Sequence, residues 1–141
     1  MPIYKIADLN IEINPKYEKT SKQLAAYITD EKTADFCVEA KQSEIDRLTA
    51  NGDIDYLVEN SIINTLVCRE ILDNYDGLFF HSSALMLDGG AYVFSAPSGT
   101  GKSTHTALWR KHFGDRVTMI NDDKPIIRKK DGVFYVYGTP W

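Results

Sequence analysis

The sequence predicts an α/β or α+β fold built around a mixed β-sheet, and three stretches carry this prediction. Residues 91–113 read as a strand, a glycine-rich loop and a helix. Residues 78–95 read as two hairpin strands that lead into that loop. Residues 53–75 repeat apolar side chains every three or four positions, which indicates one long helix. A hairpin before the loop departs from all-parallel strand–helix–strand units, so a mixed sheet is favoured.

Composition narrows the class of protein. The chain has 141 residues, of which 43% are hydrophobic and 26% charged, enough for one core or two small ones. A net charge of -4 argues against nucleic acid or an anionic membrane surface as the main partner. No targeting segment or membrane span is apparent, so we expect a cytoplasmic location. Cys37 and Cys68 lie in apolar patterns and are expected to be buried free thiols.

The first 75 residues are predicted to form a small α+β region that ends in the long helix. Thr20 with Gln23 fits a capping box, and Ser43 with Asp46 can cap a second short helix. In order, we expect strands at 3–6 and 11–13, a short helix at about 20–28, a strand at 34–40, a helix from 43 to Asn51–Gly52, and the long helix from Asp53 to Asp76–Gly77.

The remaining residues, 76–141, are predicted to carry the chemistry. Trp109 and Phe113 have helical spacing and are expected in the core, whereas His105 and His112 are expected at the surface. In order, we expect a strand at 78–87, a turn at 88–90, a strand at 91–95, a helix that stops at Gly114–Asp115, a buried strand at 117–120, and a hairpin of 125–128 and 133–137 closed by 130–132.

The glycine-rich loop has the residue types of a phosphate-binding P-loop. Glycines at 99 and 101 allow successive N–H groups to point at one anion, and the following helix dipole adds partial positive charge. Lys102 is expected to reach the β and γ phosphates, and the Ser103 hydroxyl to ligate Mg²⁺. Ala96 stands where the usual pattern has glycine. The predicted nucleotide-binding residues are Pro97, Ser98, Gly99, Thr100, Gly101, Lys102, Ser103 and Thr104.

Two further positions are candidates for the same site. Asp122 and Asp123 follow the strand after the loop helix, where a divalent cation beside a nucleotide finds hard oxygen ligands. Neighbouring side chains at a strand end point in different directions, so one carboxylate can address the metal and the other an acceptor. His81 lies in an otherwise apolar stretch, and it is either a satisfied core residue or part of the site.

These residues together resemble the nucleotide-binding half of the HPr kinase and ATP-dependent phosphoenolpyruvate carboxykinase superfamily. The resemblance covers residues 77–141 and is carried by His81, the loop, Asn121–Asp122–Asp123–Lys124 and the segments 131–134 and 138–141. Small HPr kinase-related proteins are the most similar group. The resemblance implies a P-loop domain of the phosphoenolpyruvate carboxykinase-like type, with ATP and Mg²⁺ as cofactors.

The resemblance also implies roles for individual residues. Lys102 would bind the β and γ phosphates, and Ser103 and Asp123 would bind Mg²⁺. Asp122 would be the base that activates a hydroxyl acceptor, and His81 would lie near the metal or the transferred phosphoryl group. In relatives, further strands, an acidic residue, catalytic arginines and adenine contacts follow the stretch that ends here. We therefore expect a fragment or truncated form, with residues 76–141 as the start of the P-loop domain.

The sequence is consistent with three functions. The first is a kinase that transfers the γ-phosphoryl group of ATP to a hydroxyl acceptor, which could be a protein, a peptide or a small molecule. The second is a carboxykinase-like lyase, which needs an arginine and a second lysine that the sequence does not place. The third is a non-catalytic nucleotide- or peptide-binding module.

Overall fold

The computed structural model describes residues 1–50 and 52–141, which form a mixed α+β fold with three small sheets and four α-helices. The chain divides into two units, Met1–Asn74 with Pro140–Trp141, and Tyr75–Thr139. Asn51, where the second short helix was predicted to end together with Gly52, lies outside the described residues. In the described part of the chain, no helix combines the length and apolar character needed to cross a bilayer.

The elements of the first unit are β1 (Ile3–Ile6), β2 (Leu9–Ile13), α1 (Glu18–Leu24), a 3-10 turn (Ala25–Tyr27), β3 (Ile28–Thr29), β4 (Phe36–Val38), α2 (Gln42–Thr49) and α3 (Asp55–Asn74). Those of the second unit are β5 (Gly77–Phe79), β6 (Ser83–Leu87), β7 (Gly90–Phe94), α4 (Lys102–Phe113), a 3-10 turn (Gly114–Arg116), β8 (Val117–Asn121), β9 (Ile126–Lys130) and β10 (Val133–Tyr137).

The first unit is a four-stranded sheet with three helices. Its strand order is β3-β1-β2-β4, in which β2 and β4 are parallel and the other pairs antiparallel. Alternate residues of β2 are buried, which is the pattern of a sheet with one covered face, and in β1 only Lys5 is exposed. The long helix α3 confirms the prediction from periodicity, and its buried apolar residues are Val58, Ile62, Ile63, Val67 and Ile71.

Both predicted helix caps in this unit are wrong. Helix α1 begins at Glu18 with Tyr17 as its N-cap residue, and Thr20 is buried inside the helix. Helix α2 begins after Lys41, so Ser43 also lies inside its helix. The backbone N–H groups of Lys16 and Tyr17 instead donate to the carboxylate of Glu59 on α3. Local spacing could not reveal this contact, because Glu59 is far from them in sequence.

The two cysteines are free, but they are not both buried. Cys37 lies on the edge strand β4 and is exposed, and Cys68 on α3 is half-buried. The prediction of two buried thiols is therefore wrong for Cys37. Because β4 is only three residues long and pairs along one side, its side chains are less covered than a central strand's would be.

The second unit contains two three-stranded sheets, ordered β7-β6-β8 and β10-β9-β5. Every neighbouring pair in them is antiparallel, so the sheet that carries the glycine-rich loop is not mixed. Strands β7 and β8 nevertheless run in the same direction, because β6 lies between them and is antiparallel to both. Two-residue turns with positive φ at residues 88–89 and 131–132 confirm the predicted hairpins.

The predicted strand at 78–87 is two strands in different sheets. Strand β5 pairs with β9, whereas β6 pairs with β7 and β8. Between them, the N–H groups of Phe80 and Ser82 donate to the backbone oxygens of Pro125 (3.1 Å) and Asp123 (3.0 Å). These bonds hold residues 80–82 beside the turn that follows β8.

Helix α4 packs on the loop's own sheet through aromatic contacts. The ring of Trp109 lies 5.1 Å from that of Tyr92 and 5.3 Å from that of Phe94, measured between centroids. Trp109 and Phe113 are half-buried rather than core residues, and Thr106 is the buried residue of the helix. His105 and His112 are exposed, as predicted.

Candidate functional site

The glycine-rich loop joins the end of β7 to the start of α4. Gly99 (φ 81°) and Gly101 (φ 96°) both adopt positive φ, which other residues adopt at a cost. A Cβ atom at Gly99 would meet no atom within 4 Å, so backbone conformation rather than space requires glycine there. The loop therefore curls as the residue types predicted.

The start of α4 presents backbone donors to the loop. The first hydrogen bond inside the helix runs from the N–H of His105 to the oxygen of Gly101, at 2.9 Å. The N–H groups of Lys102, Ser103 and Thr104 precede that bond and have no acceptor within the helix, as in every first turn. Together with the helix dipole, these three groups favour an anion at this end of α4.

Lys102 is folded back onto the loop. Its Nζ donates to the backbone oxygen of Ala96 at 2.8 Å and approaches that of Pro97 at 3.5 Å. The Thr100 hydroxyl also donates to Pro97, at 2.7 Å. The ammonium group is thus held beside the loop. A rotation of the Lys102 side chain would bring it to an anion bound there.

Ser103 meets Asp122, and this contact joins the loop to the end of β8. The Ser103 hydroxyl lies 3.1 Å and 3.3 Å from the two carboxylate oxygens of Asp122. The Ser83 hydroxyl on β6 donates to the same carboxylate at 2.6 Å. Two hydroxyls and one carboxylate are therefore gathered at one point beside the loop, and all are hard oxygen ligands.

Asp123 lies next to different partners. One carboxylate oxygen is 3.2 Å from Nε2 of His81, and the other is 2.8 Å from Nζ of Lys124. All three side chains are partly exposed, at between 43% and 58%. The structure thus brings His81 and Asp123 together, but it pairs Ser103 with Asp122 instead of with Asp123, its predicted partner at the metal.

His81 itself does not lie in a strand. It lies between β5 and β6, exposed, and its backbone oxygen accepts a hydrogen bond from the Ser95 hydroxyl at 3.3 Å. The alternative of a buried, satisfied core histidine is therefore wrong. The strand prediction failed because residues 78–87 divide between two sheets, which places His81 at the junction.

An open cleft lies beside the loop. Its volume is about 450 Å³, and its walls include Phe94, His105 and the loop residues Thr100 to Lys102. The ring of Phe94 lies 4.8 Å from that of His105, edge-on. Nε2 of His105 accepts a hydrogen bond from the indole N–H of Trp109 at 3.1 Å, which orients the imidazole.

No cluster of three or more His, Cys, Asp or Glu side chains is positioned to hold a metal within residues 1–50 and 52–141. This does not conflict with a nucleotide-linked Mg²⁺ site, because Mg²⁺ in such sites takes one or two protein oxygens and completes its shell with water and phosphates. Asp122 with Ser103 is a donor set of that kind.

Sequence reasoning assigned no role to three residues of the site. Ser83 contacts Asp122, and Asn121 and Thr139 hold the turn that contains both aspartates. The signal available for Asn121 was its type, since asparagine directly before a turn commonly accepts hydrogen bonds from the backbone N–H groups that follow. Ser83 and Thr139 carried no such local signal, because their partners are distant in sequence.

Comparison of the chain with protein-family models, with curated proteins and with solved structures finds no match. The class of this protein is thus described by its own fold and site. It is a mixed α+β chain in which a glycine-rich loop leads into a helix, and the first turn of that helix contacts the first of two adjacent aspartates.

Proposed function

We propose that residues 75–139 bind the triphosphate of ATP and act as a phosphotransferase of the HPr kinase-like class, with a hydroxyl group as acceptor. The observation that carries the proposal is the Ser103–Asp122 contact of 3.1 Å, which places a carboxylate of β8 against the first turn of the loop helix. A glycine-rich loop that serves only as a turn gives no reason for such a pairing.

The loop would hold the phosphates through its backbone and Lys102. The first-turn N–H groups of α4 donate to phosphate oxygens, and the Lys102 ammonium leaves the oxygen of Ala96 to neutralise the charge that develops on the γ phosphate. Because the backbone N–H groups follow a loop whose two glycines already adopt positive φ, little backbone reorganisation is needed when an anion binds, and the Lys102 side chain is the part that moves.

The geometry favours an exchange of the two aspartate roles that the resemblance implied. Asp122 and Ser103 are together, so they would hold Mg²⁺, which when bound neutralises phosphate charge and orients the phosphates. The Asp123 side chain is 51% exposed, so an incoming acceptor can reach it, and its carboxylate is oriented by His81 and Lys124. Asp123 would therefore be the base.

The transfer step then needs no covalent enzyme intermediate. The acceptor oxygen forms a bond to the γ phosphorus as the bond between that phosphorus and the bridging oxygen of ADP breaks. The proton of the acceptor hydroxyl passes to the carboxylate of Asp123, and the neighbouring His81 can relay it to solvent.

The arginines of the second unit give no support to the carboxykinase alternative. Arg116 is paired with Asp88, and buried Arg128 donates to the backbone oxygen of Tyr75 at 3.1 Å. Both side chains hold strands and turns of their own unit, and the third arginine of the unit, Arg110, lies in the last turn of α4, at the opposite end of the helix from the loop. A carboxylate substrate would need an arginine directed into the site.

Calorimetric titration of the chain with ATP and Mg²⁺ tests the proposal. Lys102→Ala should weaken ATP binding about 30-fold or more, since one charge-assisted hydrogen bond contributes about 2 kcal/mol. Lys111→Ala is the matched control, because Lys111 is exposed in the last turn of the same helix. Equal affinities of the wild type and Lys102→Ala would refute the proposed function.

A further inference from the structure

Asn121 ends β8, and its side chain lies inside the turn that carries both aspartates. Its Oδ1 accepts hydrogen bonds from the backbone N–H groups of Asp123 (2.9 Å) and Lys124 (2.8 Å). Its Nδ2 donates to the backbone oxygen and to Oγ1 of Thr139, at 3.1 Å each. The chemistry fixes this amide orientation, because two backbone donors face one end and a backbone acceptor faces the other.

Thr139 closes a ring of hydrogen bonds around this turn. Its hydroxyl donates to the backbone oxygen of Lys124 at 2.8 Å, and the residue is only 7% exposed. The path therefore runs from Asn121 to Thr139, from Thr139 to Lys124, and from the Lys124 N–H back to Asn121. Most of these bonds are partly buried, and such bonds hold a turn more firmly than a local turn bond fully exposed to water.

The pairing of β8 with β6 explains why the turn needs such support. Ala84 pairs with Asn121 and Leu85 with Met119, so Ile120 is an extra residue in β8. A bulge of this kind bends the strand and redirects the side chains that follow it. The direction of the Asp122 carboxylate therefore depends on the bulge at Ile120 and on the Asn121 amide that follows it.

We propose that Asn121 is a positioning residue for the Asp122–Ser103 metal site, an inference that rests on the proposed function. Its hydrogen bonds hold the 121–124 turn so that the Asp122 carboxylate stays beside the Ser103 hydroxyl. The consequence is specific: Asn121 strengthens the binding of ATP through Mg²⁺ and has little effect on ATP binding without Mg²⁺.

The test compares ATP affinity with and without Mg²⁺ by calorimetry on the full chain. Asn121→Ala and Thr139→Val should each reduce the gain in affinity that Mg²⁺ provides by about 10-fold, the usual effect of losing an outer hydrogen bond at a metal site. Thr139→Ser keeps the hydroxyl and should retain the gain. Asn74→Ala and Thr118→Val are matched controls at exposed positions and should leave it unchanged.

A double-mutant experiment tests whether Asn121 acts through Asp122. In an Asp122→Asn background, Asn121→Ala should have no further effect on the Mg²⁺-dependent gain, because the group that it positions is already lost. Additive losses would overturn the inference, as would an equal weakening of ATP binding with and without Mg²⁺. If Asn121→Ala does not fold, the Thr139→Val and Thr139→Ser pair decides the question.

Failure of the proposed function gives a different result. A wild-type chain that does not bind ATP, or that gains no affinity from Mg²⁺, refutes the nucleotide site and the role of Asn121 together. A wild-type chain with a normal Mg²⁺-dependent gain that Asn121→Ala and Thr139→Val leave intact refutes the role of Asn121 alone.

Discussion

Replacing Glu59 with glutamine tests how the first unit is held together. Glu59 is fully buried on α3, and its carboxylate accepts the backbone N–H groups of Lys16 (2.6 Å) and Tyr17 (3.2 Å) at the start of α1. Glutamine keeps the shape but has one oxygen, so one N–H group loses its acceptor. A buried donor left without a partner costs about 1–3 kcal/mol, so we expect the free energy of unfolding to fall by about 2 kcal/mol.

Chemical denaturation followed by tryptophan fluorescence measures this loss. Trp141 belongs to the first unit, and a Trp109→Phe background removes the signal of the second. The matched control is Glu39→Gln, because the Glu39 carboxylate contacts the Nζ of the same Lys16 at 2.9 Å but is 58% exposed. An exposed ion pair contributes about 1 kcal/mol at most, so the control should lose clearly less than Glu59→Gln. Equal effects of Glu59→Gln and the control would refute the reasoning.

Two further predictions concern the second unit. Gly101→Ala and Gly89→Ala both place a side chain at positive φ and should each lower stability by about 1–2 kcal/mol, but only Gly101→Ala should also weaken ATP binding in calorimetry. A loss of ATP affinity in both variants would contradict the role of the loop. Hydrogen bonding from Arg116, followed by its charge, lowers the pKa of Asp88 below its ordinary value. The stabilisation by this pair is therefore present above the unfolded-state pKa and is lost as the pH falls through the lowered folded-state pKa. In an NMR titration, Arg116→Gln should return the pKa of Asp88 towards the ordinary carboxyl range, and an unchanged titration would show that the pair does not form.

Turns and long periodic segments were predictable because their signals are local. Asp88–Gly89 and Asp131–Gly132 each allow two consecutive positive φ angles, and both close hairpins as expected. Helix α3 was predictable because its apolar residues recur with the helical period over many turns. The N-terminal contacts of α1 could not be predicted in this way, because the carboxylate that accepts from its start belongs to Glu59, 43 residues away along the chain.

Nucleotide binding, phosphoryl transfer, the hydroxyl acceptor and the cytoplasmic location all stay predictions. The residue types of the loop and the two aspartates suggested the site, and the structure places them within one unit. Their order in the sequence could not show which aspartate lies beside Ser103 and which lies beside His81. Asp122 and Asp123 are neighbours in sequence, yet one contacts Ser103 and the other contacts His81.

The sequence by itself determined the strand, the glycine-rich loop and the helix that follows, because the φ angles of Gly99 and Gly101 and the apolar spacing act over a few residues. The tertiary structure alone decided which carboxylate faces the loop. That choice depends on the extra residue at Ile120 in the pairing of β8 with β6, and on the ring of hydrogen bonds through Thr139. Strand pairing and bonds between distant residues exist only once the chain has folded, so the direction of these side chains is a property of the fold.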